Sequence, residues 1–253
     1  MLSTIELERA LAAAGLDAPV RFDEVTGSTN ATALELAEAG APEWTLVAAA
    51  HQSAGRGRQG RIWDDRPGGA LMFSFVLRPS ALDAEHAGLI SLLAGVAMAD
   101  AIEQVARVEV LCKWPNDLLL SDAKVGGILV ESLIADRTVR YAVAGVGVNL
   151  EPPTGVEGAA GLGDVDPTAL LSAFLRRFHD GYVVLPAGVV EQWVAASATL
   201  GRQVEAVRMD GPSIRGRAVA VDERGALVIE TADGPVTLTS GEVEHLGTAR
   251  EPG

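Results

Sequence analysis

The chain has 253 residues, 48% of them hydrophobic, enough to bury a substantial core in one medium domain plus a small one. Its formal net charge of −14 speaks against general binding to nucleic acid or to a membrane surface, since both need a positive field. The single Cys112 forms no intrachain disulfide and suits a reducing cytoplasm, while His51, His86, His179 and His245 lie too far apart for metal-ligand spacing.

The N-terminal Met1 to Glu6 lacks the basic and apolar pattern of a signal peptide, and no stretch combines membrane-spanning length with freedom from charge. Helical apolar spacing runs from Ile5 to Ala14, stopped by Gly15, and again from Thr29 to Ala39, with Ser28 or Thr29 as cap and Gly40 as stop. Short strands are expected near Val20 to Phe22, over Thr45 to Ala50 and over Leu71 to Leu77. Ala84 to Val105 reads as the longest helix, apolar over much of its circumference and so packed deep against the sheet. Strands follow at Val108 to Cys112, Gly127 to Ile134 and Thr138 to Val148, the last two joined as a hairpin about Ala135-Asp136-Arg137. Pro167 opens a helix to Asp180, and another covers Val189 to Ala198. Beyond Gly201 come only short alternating segments, Gln203 to Val207, Arg215 to Val221, Ala226 to Glu230 and Val236 to Thr239, the signature of a small β-barrel.

The most informative loop is Gly55-Arg56-Gly57-Arg58-Gln59-Gly60-Arg61, followed by Trp63. Its glycines let the backbone turn tightly and present N–H groups, and its arginines surround that turn with fixed positive charge, so it is suited to hold anions. The letters satisfy G-x-G-x-x-G. A dinucleotide site nevertheless needs a helix directly after the loop, and Asp64-Asp65-Arg66-Pro67-Gly68-Gly69 cannot start one. No Lys-Ser or Lys-Thr pair follows the last glycine, so a Walker-type phosphate loop fails as well. An arginine-rich anion loop between two strands remains, with a glycine-rich hairpin of solvated arginines as the bland alternative.

Two further segments favour the anion reading. Lys113-Trp114-Pro115-Asn116-Asp117 ends one strand and turns, and after a tight connection at Ser121-Asp122 the chain returns through Lys124-Val125-Gly126-Gly127 to Glu131. A lysine opposite three arginines is repelled unless an anion, such as a phosphate or carboxylate, lies between them.

The arginine loop, Lys113 to Asp117, Lys124 to Glu131, Gly145-Val146-Gly147-Val148-Asn149 and the upstream Ser28-Thr29-Asn30 together resemble the biotin protein ligases in order and spacing. The resemblance covers nearly the whole chain, from about Phe22 onward. It implies an α+β fold, a mixed β-sheet flanked by helices in a class II synthetase/SH2-like catalytic core, with a small C-terminal SH3-like β-barrel. The implied boundary separates a catalytic domain, residues 1–199, from the barrel, residues 200–253. Some relatives add an N-terminal DNA-binding module, and the twenty or so residues before the ligase pattern lead to the expectation of a form without one.

The implied chemistry has two steps. Biotin is activated by ATP as biotinyl-5′-AMP, with Mg²⁺ carried on the ATP phosphates, and the biotinyl group then passes to a lysine of the biotin carboxyl carrier domain of an acyl-CoA carboxylase. By position in the motifs, Ser28, Thr29, Asn30 and Gln52 would hold the ureido ring. Gly55, Arg56, Gly57 and Arg58 would cover the carboxylate, and Gly126 and Gly127 would line the same pocket. Lys124 would bridge the carboxylate and the α-phosphate. Arg56, Arg58, Arg61, Trp63, Asn116 and Asn149, with Lys124, would meet the nucleotide. Lys124, Arg58 and Asp117 would act in the chemistry, Asp117 by orienting or deprotonating the acceptor amine. Structural alternatives stay open: Ser28 and Thr29 as plain caps, Trp63 as a core aromatic, Asp117 as a turn residue, and the glycine pairs as bulges. Trp114 is expected in the core. A lipoyl-type ligase and a non-catalytic sensor are the rival readings.

Overall fold

The computed structural model describes residues 2–207 and 211–246. Helix α1 (Thr4–Ala13) begins where Ser3 Oγ accepts from Glu6 N, and it buries Leu7, Ala10 and Leu11 on one face. Strand β1 (Val20–Thr26) leads to α2 (Thr29–Glu38), capped by Ser28, and then to β2 (Leu46–Gln52). After the arginine loop comes β3 (Ala70–Leu77), buried along its whole length.

The long helix expected from Ala84 is divided. A 3₁₀ turn at Ala84–His86 precedes α3 (Leu89–Ala106), because Ala84 N donates to Arg137 O and ties that turn to a hairpin. By length and composition Ala84–Ala106 could cross a membrane, yet most of it is buried inside the protein. β4 (Leu111–Lys113) is shorter and later than the expected Val108 to Cys112, since its partner β5 (Asp117–Leu120) offers only Asp117 to Leu119 for pairing. Asp117 therefore opens a strand instead of sitting inside a turn. β6 (Ala123–Ala135) and β7 (Thr138–Asn149) form the hairpin read from the sequence. Both two-residue connections, Ser121-Asp122 and Asp136-Arg137, have positive φ throughout, the geometry that matches hairpin twist.

Next are α4 (Pro167–Tyr182), α5 (Val189–Ala195), β8 (Gln203–Val207), β9 (Ile214–Val221), β10 (Leu227–Thr231), β11 (Gly234–Leu238) and β12 (Glu242–His245). The sequence reading missed β12, Glu242-Val243-Glu244-His245, where Val243 alone is apolar, too short a signal for alternation.

The fold is α+β. A seven-stranded mixed sheet runs in the order β1-β2-β3-β7-β6-β5-β4, with only β1 and β2 parallel, and an SH3-like antiparallel sheet runs β11-β10-β9-β8-β12. On one face of the large sheet, Ala33 and Ala37 of α2 pack on Val47, Val76, Tyr141 and Val143. On the other lies the main core, including an aromatic stack of Trp44, Phe75, Phe174 and Phe178. Trp114 joins the two sheets. It is buried as expected, its backbone N donates to Thr199 Oγ1 at 3.0 Å, and its Nε1 donates to Gly225 O at 3.0 Å.

Candidate active site

On the α2 side of β7 the side chains shrink from Tyr141 and Val143 to Gly145 and Gly147, alternate residues that point to one face. That absence of side chains makes room for two others. A Cβ on Gly145 would stand 2.4 Å from Asn30 Oδ1, and one on Gly147 would stand 2.7 Å from the Trp63 indole. The glycine face floors a cavity of about 200 Å³, walled by the start of α2, the arginine loop, the β4–β5 turn and β12.

At one end, the first turn of α2 presents buried polar groups. Thr29 N and Oγ1 donate to Gln52 Oε1 at 2.7 and 3.1 Å, and Thr29 Oγ1 lies 2.8 Å from Ser74 Oγ. Ser28 Oγ accepts from Ala31 N at 3.4 Å as a cap, and Ser28 also lines the cavity. Ser74 was missed. Its signal was a hydroxyl inside an otherwise apolar run, Leu71-Met72-Phe73-Ser74-Phe75, on a strand with no exposed face.

The arginine loop is a small antiparallel hairpin. Gly57 N donates to Arg61 O at 2.8 Å and Trp63 N to Gly55 O at 2.9 Å, with Gln59 at φ 54° in the turn. A Cβ on Gly55 would fall 2.4 Å from Trp63 O, so Gly55 permits the loop to close and lies behind the cavity wall, not on it. Arg56 Nη2 is 2.9 Å from Glu131 Oε1, and Arg61 pairs with Glu242 of β12. Burial pulls the Arg58 guanidinium below its ordinary range, Asp117 opposing this and Arg61 adding to it.

Lys124 faces this loop. One extra residue on β6, between the pairs Leu118↔Gly126 and Leu119↔Lys124, forms a bulge. The Lys124 side chain then lies over Gly127, whose added Cβ would be 3.4 Å from Lys124 Cε, and its Nζ is 2.6 Å from Asp117 Oδ1. The repulsion anticipated between lysine and arginines is thus met internally by Asp117, Glu131 and Glu242. Both readings of the glycine pair hold: Gly126 sits at the bulge against Gly147 O, and Gly127 lines the cleft. Lys113, absent from the expected site, also lines the cavity; burial draws its ammonium below the usual value, opposed by Asp117 and reinforced by Lys124.

Two expected nucleotide contacts have their amides engaged elsewhere. Asn116 lines the cavity, but its Nδ2 donates to Ile128 O at 2.8 Å. Asn149 is buried outside the cavity wall, and its Nδ2 donates to Ala160 O at 3.1 Å. It supports the 151–163 loop, which holds Lys124 through Lys124 N to Gly158 O at 2.7 Å and Ala160 N to Lys124 O at 2.8 Å. Glu242 and Glu244 were missed because β12 was missed.

The site sets an arginine hairpin and a bulged lysine over a side-chain-free floor, an arrangement suited to bring anionic groups together. Residues 22–149 match the biotin/lipoate A/B protein ligase family and residues 199–246 the biotin protein ligase C-terminal domain. The chain belongs to that family. It is 35% identical to the biotin–acetyl-CoA-carboxylase ligase of Paracoccus denitrificans, over 86% of this chain and 97% of the relative. It is 31% identical to the bifunctional ligase/repressor BirA of Bacillus subtilis, over 88% of this chain and 73% of the relative. The biotin protein ligase of Aquifex aeolicus, solved with biotin and ATP, superposes with a TM-score of 0.75 at 26% identity, covering 91% of this chain and 99% of that one.

Proposed function

We propose that the chain activates biotin with ATP as biotinyl-5′-AMP and transfers the biotinyl group to a lysine of the carboxyl carrier domain of an acyl-CoA carboxylase. The observation that carries this reading is the single cavity that joins buried hydrogen-bonding groups at Thr29, Asn30 and Gln52 to the cations Arg56, Arg58, Arg61 and Lys124. In the first step a carboxylate oxygen bonds to the α-phosphorus while the bond to the β-phosphate breaks and pyrophosphate leaves. Two anions must approach each other, so the requirement is charge neutralisation and alignment, which the arginine hairpin and Lys124 supply. In the second, the acceptor amine bonds to the acyl carbon, AMP departs, and the amine loses a proton. Asp117, 2.6 Å from Lys124 Nζ, is the carboxylate we assign to accept that proton.

Mg²⁺ would enter on ATP phosphates and waters. Of the carboxylates that line the cavity, Asp117 and Glu242 are paired with Lys124 and Arg61, which fits a phosphate-borne metal better than a carboxylate cage. Gly126, Gly55 and Asn149 support the site from behind, while Gly57, Trp63 and Asn116 line it. We place the division between ligase and barrel at residue 200, supported by the C-terminal match beginning at residue 199. A cytoplasmic setting is supported by the lone thiol Cys112, which burial raises to about 12 and leaves inert. The net charge of −14 speaks against DNA or a membrane surface as a partner.

The test is biotin-dependent exchange of labelled pyrophosphate into ATP, with lipoic acid as the second arm. Exchange with biotin alone supports the reading; exchange with lipoic acid alone, or with neither acid, overturns it.

A further inference from the structure

Glu131 has no place in the chemistry above, yet each of its two oxygens contacts a residue that lines the cavity. Asn30 Nδ2 donates to Glu131 Oε2 at 2.5 Å, and Arg56 Nη2 donates to Oε1 at 2.9 Å. A carboxylate only accepts hydrogen bonds, so it sets the flip of the Asn30 amide: the NH₂ faces Glu131 and the carbonyl must face away. That carbonyl, Oδ1, is buried and has no hydrogen-bond partner among the described residues. It lies over Gly145, where a Cβ would be 2.4 Å from Oδ1 and 3.1 Å from Ser74 Oγ. Glycine at that position gives Oδ1 the room it occupies at the cavity floor, where it is a fixed, unsatisfied acceptor. A buried unpaired acceptor is uncommon in folded proteins and marks a place where a ligand donor is awaited.

The family's two acids, biotin and lipoic acid, carry the same pentanoate arm, so cations reading the carboxylate cannot separate them. They differ at the ring: the cyclic urea of biotin has two N–H donors, and the dithiolane of lipoic acid has none. We propose that Glu131 is a positioning residue that sets acid specificity by locking Asn30 with its carbonyl toward the ring pocket. Its second oxygen meanwhile holds Arg56 beside that pocket. The inference rests on the biotin reading above. A site built to satisfy its own acceptor with a substrate N–H rejects the analogue lacking one, because the acceptor then stays buried and unpaired.

The experiment is calorimetric titration of biotin and of lipoic acid into the full chain, wild type, Glu131→Gln, Asn30→Ala and the double variant. Glutamine is isosteric and its amide accommodates either Asn30 flip; Glu131→Asp, which keeps the charge but withdraws it by one methylene, serves as a second probe of the contact. Glu131→Gln is expected to weaken biotin about tenfold, the size of one lost buried hydrogen bond. Lipoic acid binding should be no weaker than in the wild type, and Glu131→Gln should cost biotin little in the Asn30→Ala background. Unchanged biotin affinity in both Glu131 variants, parallel losses for both acids, or additive losses in the double variant would overturn the role of Glu131 alone. A wild-type chain that fails to bind biotin would overturn the biotin reading itself, and this inference with it.

Discussion

Lys124 and Asp117 form the central pair of the site, with Nζ 2.6 Å from Oδ1, and they meet because a bulge on β6 carries Lys124 to the Gly127 face. The pair fixes the Lys124 ammonium in the cleft, 6.0 Å from the centre of the Trp63 ring on the arginine hairpin. An incoming carboxylate and phosphate would share that ammonium with Asp117, so its positioning precedes substrate.

Replacing Lys124 by alanine should leave the fold intact, because its side chain is 37% exposed. Adenylate formation should fall about 10²- to 10³-fold, the cost of removing one preorganised electrostatic donor. Pyrophosphate exchange alongside a thermal melt tests this. Near-normal exchange would remove Lys124 from the chemistry.

Gly147→Ala should evict the Trp63 indole, since the new Cβ would lie 2.7 Å from the ring. Overpacking of this kind costs about 1–3 kcal/mol when the neighbour cannot yield. Because Trp63 is borne on the arginine loop, the penalty should fall on ATP-dependent activation and raise the KM for ATP. An unchanged KM for ATP would place Trp63 outside the working site.

The arginine hairpin is held on the protein by Arg56–Glu131 and Arg61–Glu242, pairs whose arginines are 46% and 58% exposed. Partly exposed pairs of this sort contribute little, about 0–1 kcal/mol each. Trypsin should therefore cut after Arg56, Arg58 and Arg61 in the free protein, and biotin plus ATP should slow that cleavage at least several-fold. Mass spectrometry of timed digests reads the sites; equal rates with and without ligand would contradict ordering over the adenylate.

His245 on β12 lies 3.3 Å from Thr199 Oγ1, and burial, helped by Lys113 and Arg202, lowers it to about 4 from 6.5. Its unfolded form binds a proton at higher pH than its folded form, so stability is complete above about pH 6.5 and is lost as pH falls toward 4. Denaturant melts should show wild type losing more stability across that window than His245→Gln. Parallel curves for the two proteins would show that His245 is not held neutral.

The sequence by itself determined the secondary elements whose signals are local. Ser28 caps a helix and Pro167 opens another, Ser121-Asp122 and Asp136-Arg137 turn hairpins, and the arginine loop, Lys124 and the glycine pairs mark the cleft, each through residue chemistry acting within a few positions. It also carried the family resemblance, because several spaced motifs must agree at once.

Tertiary structure alone decided what distant residues do to one another. Asp117 opens a strand because β4 pairs with it, and Asn149 turns its amide to Ala160 because the 151–163 loop needs an anchor there. Glu131 bridges Asn30 and Arg56 across separations of 101 and 75 residues, and Glu242 reaches Arg61 from the far end of the chain. No local pattern encodes such partners. A carboxylate's role depends on which cations and amides the fold brings within about 3 Å, and hydrogen bonds and ion pairs are made at that distance whatever the separation along the chain.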